Sequence, residues 1–579
     1  MSTYDLVVRG GTVVDGTGAP ARTADVAVEG DRIVEVGSGV GSGRREIDAD
    51  GALVTPGFVD IHAHYDGQAT WDHYLAPSSW HGVTTVVMGN CGVGFAPVRP
   101  EDHQRLIELM EGVEDIPGTA LHEGIDWAWE SFPEYLDALE ATPRAIDIAA
   151  QVPHAALRAY VMGERAHERD ADPEEITLMS KLAEEALRAG ACGVSTSRTI
   201  LHSSKHGLVP GTDAPPDELL ALGDAIGRAG HGVFQLVSDH QGGAGDRAWL
   251  VELVERTGAT ATYALAQAGY APDAWREALA AATEDQTAGR RIIPQVASRP
   301  TGMLFGLQSS LHPFFTHPTY RELADLPLAE RVARLRQPEV RAALLAEEPA
   351  TKNPIARGLM QRWSQIFPLG DPPDYEPPSS ASVESVATRE GRDPQDVALD
   401  WLLTQDGKAF LFAPLASYVD HDHEALREMM THPATTLGLS DGGAHCGLIC
   451  DVSMPSYLLS HWVNGRTRGP RLGLEQAISL QTSRTAAAYG FTDRGVIAAG
   501  KRADLNLIDL DGMALHAPEM VFDLPAGGRR LIQRADGYVA TLVAGQVTYE
   551  RGEPTGERPG RLVRFGILFV SGVSSSSYA

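Results

Sequence analysis

Cysteine is scarce in this chain: Cys91, Cys192, Cys446 and Cys450 are the four among 579 residues. So few cannot brace a chain of this size as a disulfide framework, and they fit a reducing compartment. Positive charge is short as well. Lys plus Arg number 48 against 77 Asp plus Glu, a net of −29. So acidic a surface repels nucleic acid and anionic lipid, which leaves a small-molecule substrate as the expected partner. Apolar runs approaching ~18–20 residues are missing, so no membrane span is expected. The opening residues, "MSTYDLVVRGGTVVDG", lack a basic segment followed by an apolar core and a cleavage signal. A cytoplasmic location is the expectation. Subunit number stays open, a homo-oligomer included.

What is present divides by texture. Residues 1–54 alternate apolar and polar positions with Gly and Asp-Gly turns, as in "ADVAVEGDRIVEVG". The C-terminal part, residues 494–564, repeats this in "GYVATLVAGQVTYERGEPTG". Neither end has enough strands for independent stability, so both are expected to build one small β-sandwich domain. Between them, residues 55–493 alternate short apolar strands with helical patterns. Strand candidates are "GFVDIHAH", "VTTVVMGN", "IDIAAQVPH", "GVSTS", "GVFQLVS", "ATYALAQ", "IIPQVAS", "AFLFAPLA" and "TTLGLSDGG". Such alternation predicts an α/β fold of the (β/α)8 TIM-like barrel class. A Pro-rich stretch at about 340–390 lacks periodicity and reads as an insertion over the barrel mouth. Residues 565–579 read as a tail.

Barrel active sites lie at the C-terminal ends of strands. The run "VTPGFVDIHAHYDG" therefore matters. His62 and His64 are two apart, so in an extended strand they point the same way, toward the mouth. Two neutral imidazoles so placed can bind a divalent metal. A lone His-x-His is equally an ordinary polar pair. Context favours the metal. "VTTVVMGN" runs into "CGVG", placing Cys91 in a Gly-rich turn where packing gives no reason for it. "TTLGLSDGG" places Asp441 at another strand end, where a carboxylate can ligate a metal and accept a proton from water. Alone, Asp441 reads better as a helix N-cap.

Four stretches carry a resemblance: "TPGFVDIHAHYD", "HGVTTVVMGNCGVG", "LGLSDGG" and "DRGVIAAGKRADLNLIDLD". They resemble the amidohydrolase superfamily, and within it the N-acyl-D-amino-acid deacylase (D-aminoacylase) family, over nearly the whole chain. The "GNCG" turn is the specific part. The resemblance implies a metal-bearing barrel with a small β-sandwich, and amide hydrolysis by zinc-activated water. It also implies one metal position on His62, His64, Cys91 and Asp441, with Asp441 as general base and then acid. Two departures mark a divergent member. The family's second metal position uses histidines ending the fifth and sixth strands. Here Gln235 to Val237 and Leu265 to Gln267 stand in those places; His240, a few residues later, is with His202 a possible replacement ligand. The "His-Pro-Arg" arginine that holds a substrate carboxylate is not visible after "SDGGAHCGLICD". One metal per chain is therefore expected. Thiolate plus imidazole favours zinc, while two imidazoles and a carboxylate also suit iron or manganese.

Other candidates surround this set. The loop "STSRTILHSSKHG" carries Arg198, His202, Lys205 and His206, either a solvated loop or a basic patch near the mouth that could hold a substrate carboxylate or supply a missing ligand, Arg198 and His202 foremost. His154 ends a strand, with packing and a supporting contact both open. His445 could donate to an oxyanion, ligate, or bond a backbone carbonyl. Cys446 and Cys450 lack the second pair of a zinc site and read as core. Tyr65, Asp66 and Trp71 follow the histidine pair and could shape the pocket. The expected activity is metal-dependent hydrolysis of a linear amide. A hydrolase of a cyclic amide, imide or lactone, a single-metal lyase or decarboxylase, and a non-catalytic member of the fold are the alternatives.

Overall fold

A computed structural model describes residues 3–566 except 242, 244, 352 and 353. Nearly all of the predicted tail lies outside the described residues. Eight strands form one wholly parallel sheet in chain order: β1 (Phe58–Asp60), β2 (Val83–Met88), β3 (Asp147–Pro153), β4 (Gly193–Arg198), β5 (Val233–Ser238), β6 (Thr260–Ala264), β7 (Ile292–Val296) and β8 (Thr436–Leu437). Every residue of β2 and β3 is buried, as a parallel strand covered on both faces requires. Just beyond the ends of β1 and β8, Ala63 and Gly442 form a parallel bridge. The His64 amide donates to the Gly442 carbonyl (2.7 Å), and that of Asp441 to the His62 carbonyl (3.1 Å). First and last strands thus meet, giving an α/β, TIM-like domain.

Helices return the chain between most strands. The one from Pro216 to Ala229 is representative. It starts on Pro216 with Asp217 and Glu218 in its first turn, and it stops at Gly230, where φ is +79°. Leu219, Leu222, Ala225 and Ile226 form its buried face. The β1–β2 connection instead uses short 3-10 turns (Gln68–Thr70 and Ser78–His81).

Two expectations need correction. "AFLFAPLA" is a strand, Leu411–Pro414, but not of the parallel sheet. It pairs antiparallel with Gly302–Phe305 and Phe367–Pro368. Periodicity shows that a strand is buried, not which sheet takes it. The stretch at about 340–390 is part of a longer excursion, running from the end of β7 to the start of β8. Helices such as Leu328–Leu335 and Pro394–Leu402 pack there with that sheet around a separate core, including Phe305, Phe314, Leu335, Leu399 and Leu411. Leu304 donates to the Leu448 carbonyl (2.7 Å), tying this unit to the loop after β8.

The two chain ends share one nine-stranded sheet. Leu53–Pro56 pairs antiparallel with Leu505–Ile508, and that contact joins the N-terminal strands to the C-terminal ones. Buried cations lock the C-terminal part to the parallel sheet. Arg494 and Arg502 bond Asp147, the first residue of β3, at 2.8 and 3.1 Å.

Candidate metal centre

The closure of the parallel sheet brings His62 and Asp441 together although they lie far apart in sequence. Both imidazoles are 1% exposed. His62 Nε2 lies 3.2 Å from Cys91 Sγ and 3.4 Å from Asp441 Oδ1. His64 Nε2 lies 3.6 Å from the same carboxylate oxygen. Ligand atoms of His62, His64 and Cys91 all fall within 4.8 Å of one another. Tetrahedral zinc, with Zn–N of ~2.0–2.1 Å and Zn–S of ~2.3 Å, sets its ligand atoms roughly 3.3–3.7 Å apart along the tetrahedron's edges. The spacings of 3.2, 3.4 and 3.6 Å lie close to that figure, so His62, His64 and Cys91 fit a single small divalent ion, with Asp441 Oδ1 beside the two imidazoles.

Local backbone conformation presents two of these groups. Cys91 (φ +57°) and Asp441 (φ +48°) occupy the left-handed region, costly for residues with a Cβ and typical of functional sites. Gly89, with φ of +79°, makes the Cys91 turn possible. A Cβ there would sit 2.4 Å from the Gln151 carbonyl oxygen. The turn is further held by the Cys91 amide, which donates to Gln235 Oε1 (2.9 Å), and by the Gly92 amide on Ser195 Oγ (3.0 Å).

The buried charges balance each other. Burial works against protonation of His62, but the Cys91 sulfur and Asp441 outweigh it and carry its pKa up to about 9. Burial likewise raises Asp441, yet hydrogen bonding to His64 and the charge of His62 hold its carboxyl well below the usual range. The pocket is thus built around positive charge among its donors, which protons or a metal can supply.

Several further groups border the centre. His62 Nδ1 lies 2.9 Å from Gln295 Oε1 on β7, which accepts its proton. Asp60 accepts from the His62 amide (3.1 Å) and from Ser440 Oγ, and burial raises its pKa to about 6. Asp66 receives the Gly89 amide (3.1 Å), and burial raises it to about 7. Glu114, 1% exposed, places one oxygen 3.3 Å from His64 Nδ1 and the other 3.5 Å from His445 Nε2. His202 rests on Ser197 (3.0 Å), and burial lowers its pKa to about 4, partly opposed by the charge of Glu114. Sequence reading missed Glu114, Gln295 and Asp60. Asp60 carried a signal, being two residues before His62 on the same strand face. Gln295 and Glu114 carried none.

The remaining candidates lie elsewhere. His154 is buried between Glu218 (2.6 Å) and Thr196 (2.9 Å). Arg198 bonds Asp246 (2.9 Å) and the Ala214 carbonyl (2.8 Å). Lys205 and His206 both sit on Glu108 at 2.7 Å, at the surface. His240 is exposed, and its amide donates to Ser238 Oγ. Cys446 and Cys450 are core residues whose thiols burial pushes up to about 12. Tyr65 bonds Ser78 (2.7 Å), and Trp71 lines a cavity of about 610 Å³ with Trp80, Tyr549 and Arg530. At the places of the family's second metal position stand two amides. Gln235 serves the Cys91 turn, and Gln267 donates to Asp420 (2.8 Å). Another convergence, Glu376–His423–His461, already holds a cation, since Arg466 bonds both Glu376 oxygens (2.9 and 3.1 Å).

Comparison with known proteins places this geometry. The model of the "Amidohydrolase family" matches residues 45–549. The chain belongs to the amidohydrolase family. A D-aminoacylase of Alcaligenes xylosoxydans xylosoxydans is 28% identical over 572 residues, 97% of each chain. An N-acyl-D-aspartate deacylase of the same organism is 28% identical, covering 97% of this chain and 95% of that protein. A solved D-aminoacylase, described as having a binuclear metal center with one-metal activation and second-metal attenuation, is 25% identical. It superposes with a TM-score of 0.64 over 97% of this chain and 100% of its own. The resemblance drawn from "HAHYD", "GNCG" and "LSDGG" is borne out, and the chain is an amidohydrolase acting on amide bonds. Among the described residues no helix is long and apolar enough to cross a membrane.

Proposed function

We propose that this amidohydrolase removes the acyl group of an N-acyl-amino acid, the D-enantiomer first, using one divalent ion held by His62, His64, Cys91 and Asp441. The convergence of His62, His64 and Cys91, with Asp441 Oδ1 3.4 and 3.6 Å from the two imidazoles, is the observation that carries the reading. Zinc is the favoured ion, given a thiolate and two imidazoles. When bound, such an ion supplies a Lewis acid for the amide carbonyl and lowers the pKa of water from 15.7 to about 7. The rest belongs to the chain. Asp441 takes the proton of the attacking water and passes it to the departing nitrogen. Gln295 holds the Nδ1 proton of His62, which leaves Nε2 as ligand. His445 approaches the centre through Glu114, which also faces His64. One ion per chain agrees with the amides at the second position and with the one-metal activation described for the solved D-aminoacylase.

The framework we propose is a barrel of residues 55–493 beside a small β-sandwich of residues 1–54 and 494–564. The pairing of Leu53–Pro56 with Leu505–Ile508 supports that division.

A second reading has its own support. Arg198, Lys205 and His206, three of the four basic groups of the loop expected to hold a substrate carboxylate, are taken by Asp246 and Glu108, while His202 rests on Ser197. That favours a substrate without a free carboxylate, a cyclic amide or imide. Metal analysis with a substrate scan tests both readings. About one zinc per chain and turnover of N-acetyl-D-amino acids support the first. Turnover confined to cyclic substrates selects the second. A metal-free chain without hydrolytic activity at any added metal sinks both.

A further inference from the structure

We propose that Glu114 is a positioning residue of the metal centre, setting the tautomer and basicity of His64 and holding His445 beside it. The inference rests on the metal reading above and deepens it. Helix α1 (His103–Glu114) ends on this residue, and Asp115 turns the chain through the left-handed region at φ +49°. That turn is clamped to the loop that follows Asp441. The His445 amide donates to the Glu114 carbonyl, and the Gly447 amide to Asp115 Oδ2 at 3.1 Å. Ser310 Oγ donates to Asp115 from a third segment, at 2.6 Å. The Glu114 backbone is therefore fixed from both sides, and its side chain has one direction to take, inward.

There it finds two imidazoles. Neither carboxylate oxygen, nor His64 Nδ1, has a hydrogen bond of full geometry among the described residues, and all three atoms are buried. Leaving a buried carboxylate unsatisfied is costly. At 3.3 Å from His64 Nδ1 and 3.5 Å from His445 Nε2, small ring rotations complete both bonds. His64 Nδ1–H then donates to Glu114, and its Nε2 lone pair faces Cys91 and Asp441. Gln295 does the same for His62 with a neutral oxygen. Glu114 does it with a full negative charge, which makes the imidazole a stronger ligand.

Metal-free protein, prepared with a chelator, is titrated with zinc against a chromophoric competitor, for wild type, Glu114→Gln and Glu114→Asp. The expected result is a 10- to 100-fold weaker affinity in Glu114→Gln, the range found when such partners are lost. Glu114→Asp should recover part of it. Loading with cobalt(II) should give Glu114→Gln a displaced visible spectrum, while its metal-free melting temperature stays near that of wild type. Affinity within twofold of wild type together with an unshifted cobalt spectrum overturns the role of Glu114 alone. Should Glu114→Gln fail to fold, Glu114→Ala decides: wild-type affinity overturns the proposal and a weaker one, partly restored in Glu114→Asp, supports it. Wild-type protein that takes up neither metal overturns the underlying site as well.

Discussion

Asp441 carries two duties at one position, and they are separable by substitution. Its Oδ1 faces both imidazole Nε2 atoms, and its backbone amide is tied to the His62 carbonyl. Asp441→Asn keeps volume and backbone bonds but removes the negative charge and the capacity to take a proton. General acid–base groups contribute about 10²–10⁴ in rate, so kcat should fall by at least that much with the fold intact. His62→Ala acts differently. It deletes a ligand and leaves Gln295 and Cys91 facing a gap, so zinc content should drop before any rate is considered. Measuring metal content beside kcat distinguishes the two variants. Wild-type turnover in either would refute the assignment of the centre.

Elements, not residues alone, deliver these side chains. The Cys91 ligand stands on a turn that only glycine tolerates at its entry, because a Cβ on Gly89 would meet the Gln151 carbonyl of β3 at 2.4 Å. Gly89→Ala should therefore cost about 2 kcal/mol or more from strain at positive φ, and should weaken metal binding by moving Cys91. A thermal melt beside a zinc titration checks both. A variant with unchanged melting temperature and affinity would show the turn to be plastic. This turn also marks how far sequence could see. "VVMGNCGVG" announced a strand, a Gly-rich break and a thiol, because each is a local signal. The α1 terminus at Glu114 announced nothing. Its approach to His64 depends on a helix after β2 folding back onto a loop after β8, a contact spanning more than 300 positions. The excursion between β7 and β8 was misread for a related reason. "AFLFAPLA" has the burial pattern of a barrel strand, and its partner Gly302–Phe305 lies about a hundred residues earlier. Arg198 and His154 looked available because their acceptors, Asp246 and Glu218, are remote in sequence.

At the scale of the molecule, buried histidines outside the metal centre contribute to the response to acid. His81 and His312 are fully buried, each with a pKa that burial pushes down to about 3. His81 joins the loop after β1 to the C-terminal strands. Its Nε2 donates to the Gln533 carbonyl (3.0 Å), and its Nδ1 accepts from Ser456 Oγ (2.8 Å), the pattern of a neutral ring. His312, in the excursion, accepts the Phe314 amide at 3.3 Å. An unfolded chain binds protons at both below pH about 6.5, while the folded chain declines them down to about 3. More protons are bound by the unfolded state across that window, so stability rises with pH there and is lost as pH falls. Each ring contributes a slope of up to about 1.4 kcal/mol per pH unit. The share of stability that these two rings supply should therefore hold above pH 7 and be lost progressively from pH 6.5 toward 4, read as the difference in melting temperature between wild type and variant. His312→Gln should flatten that fall by up to half the share of the pair, because glutamine does not titrate. His81→Gln should do the same if the Gln533 and Ser456 contacts survive. An acid limb that His312→Gln and His81→Gln both leave at wild-type steepness would place the acid sensitivity in other groups. First among them is Glu376, whose carboxyl burial works to raise but His461 and Arg466 hold well below its usual range.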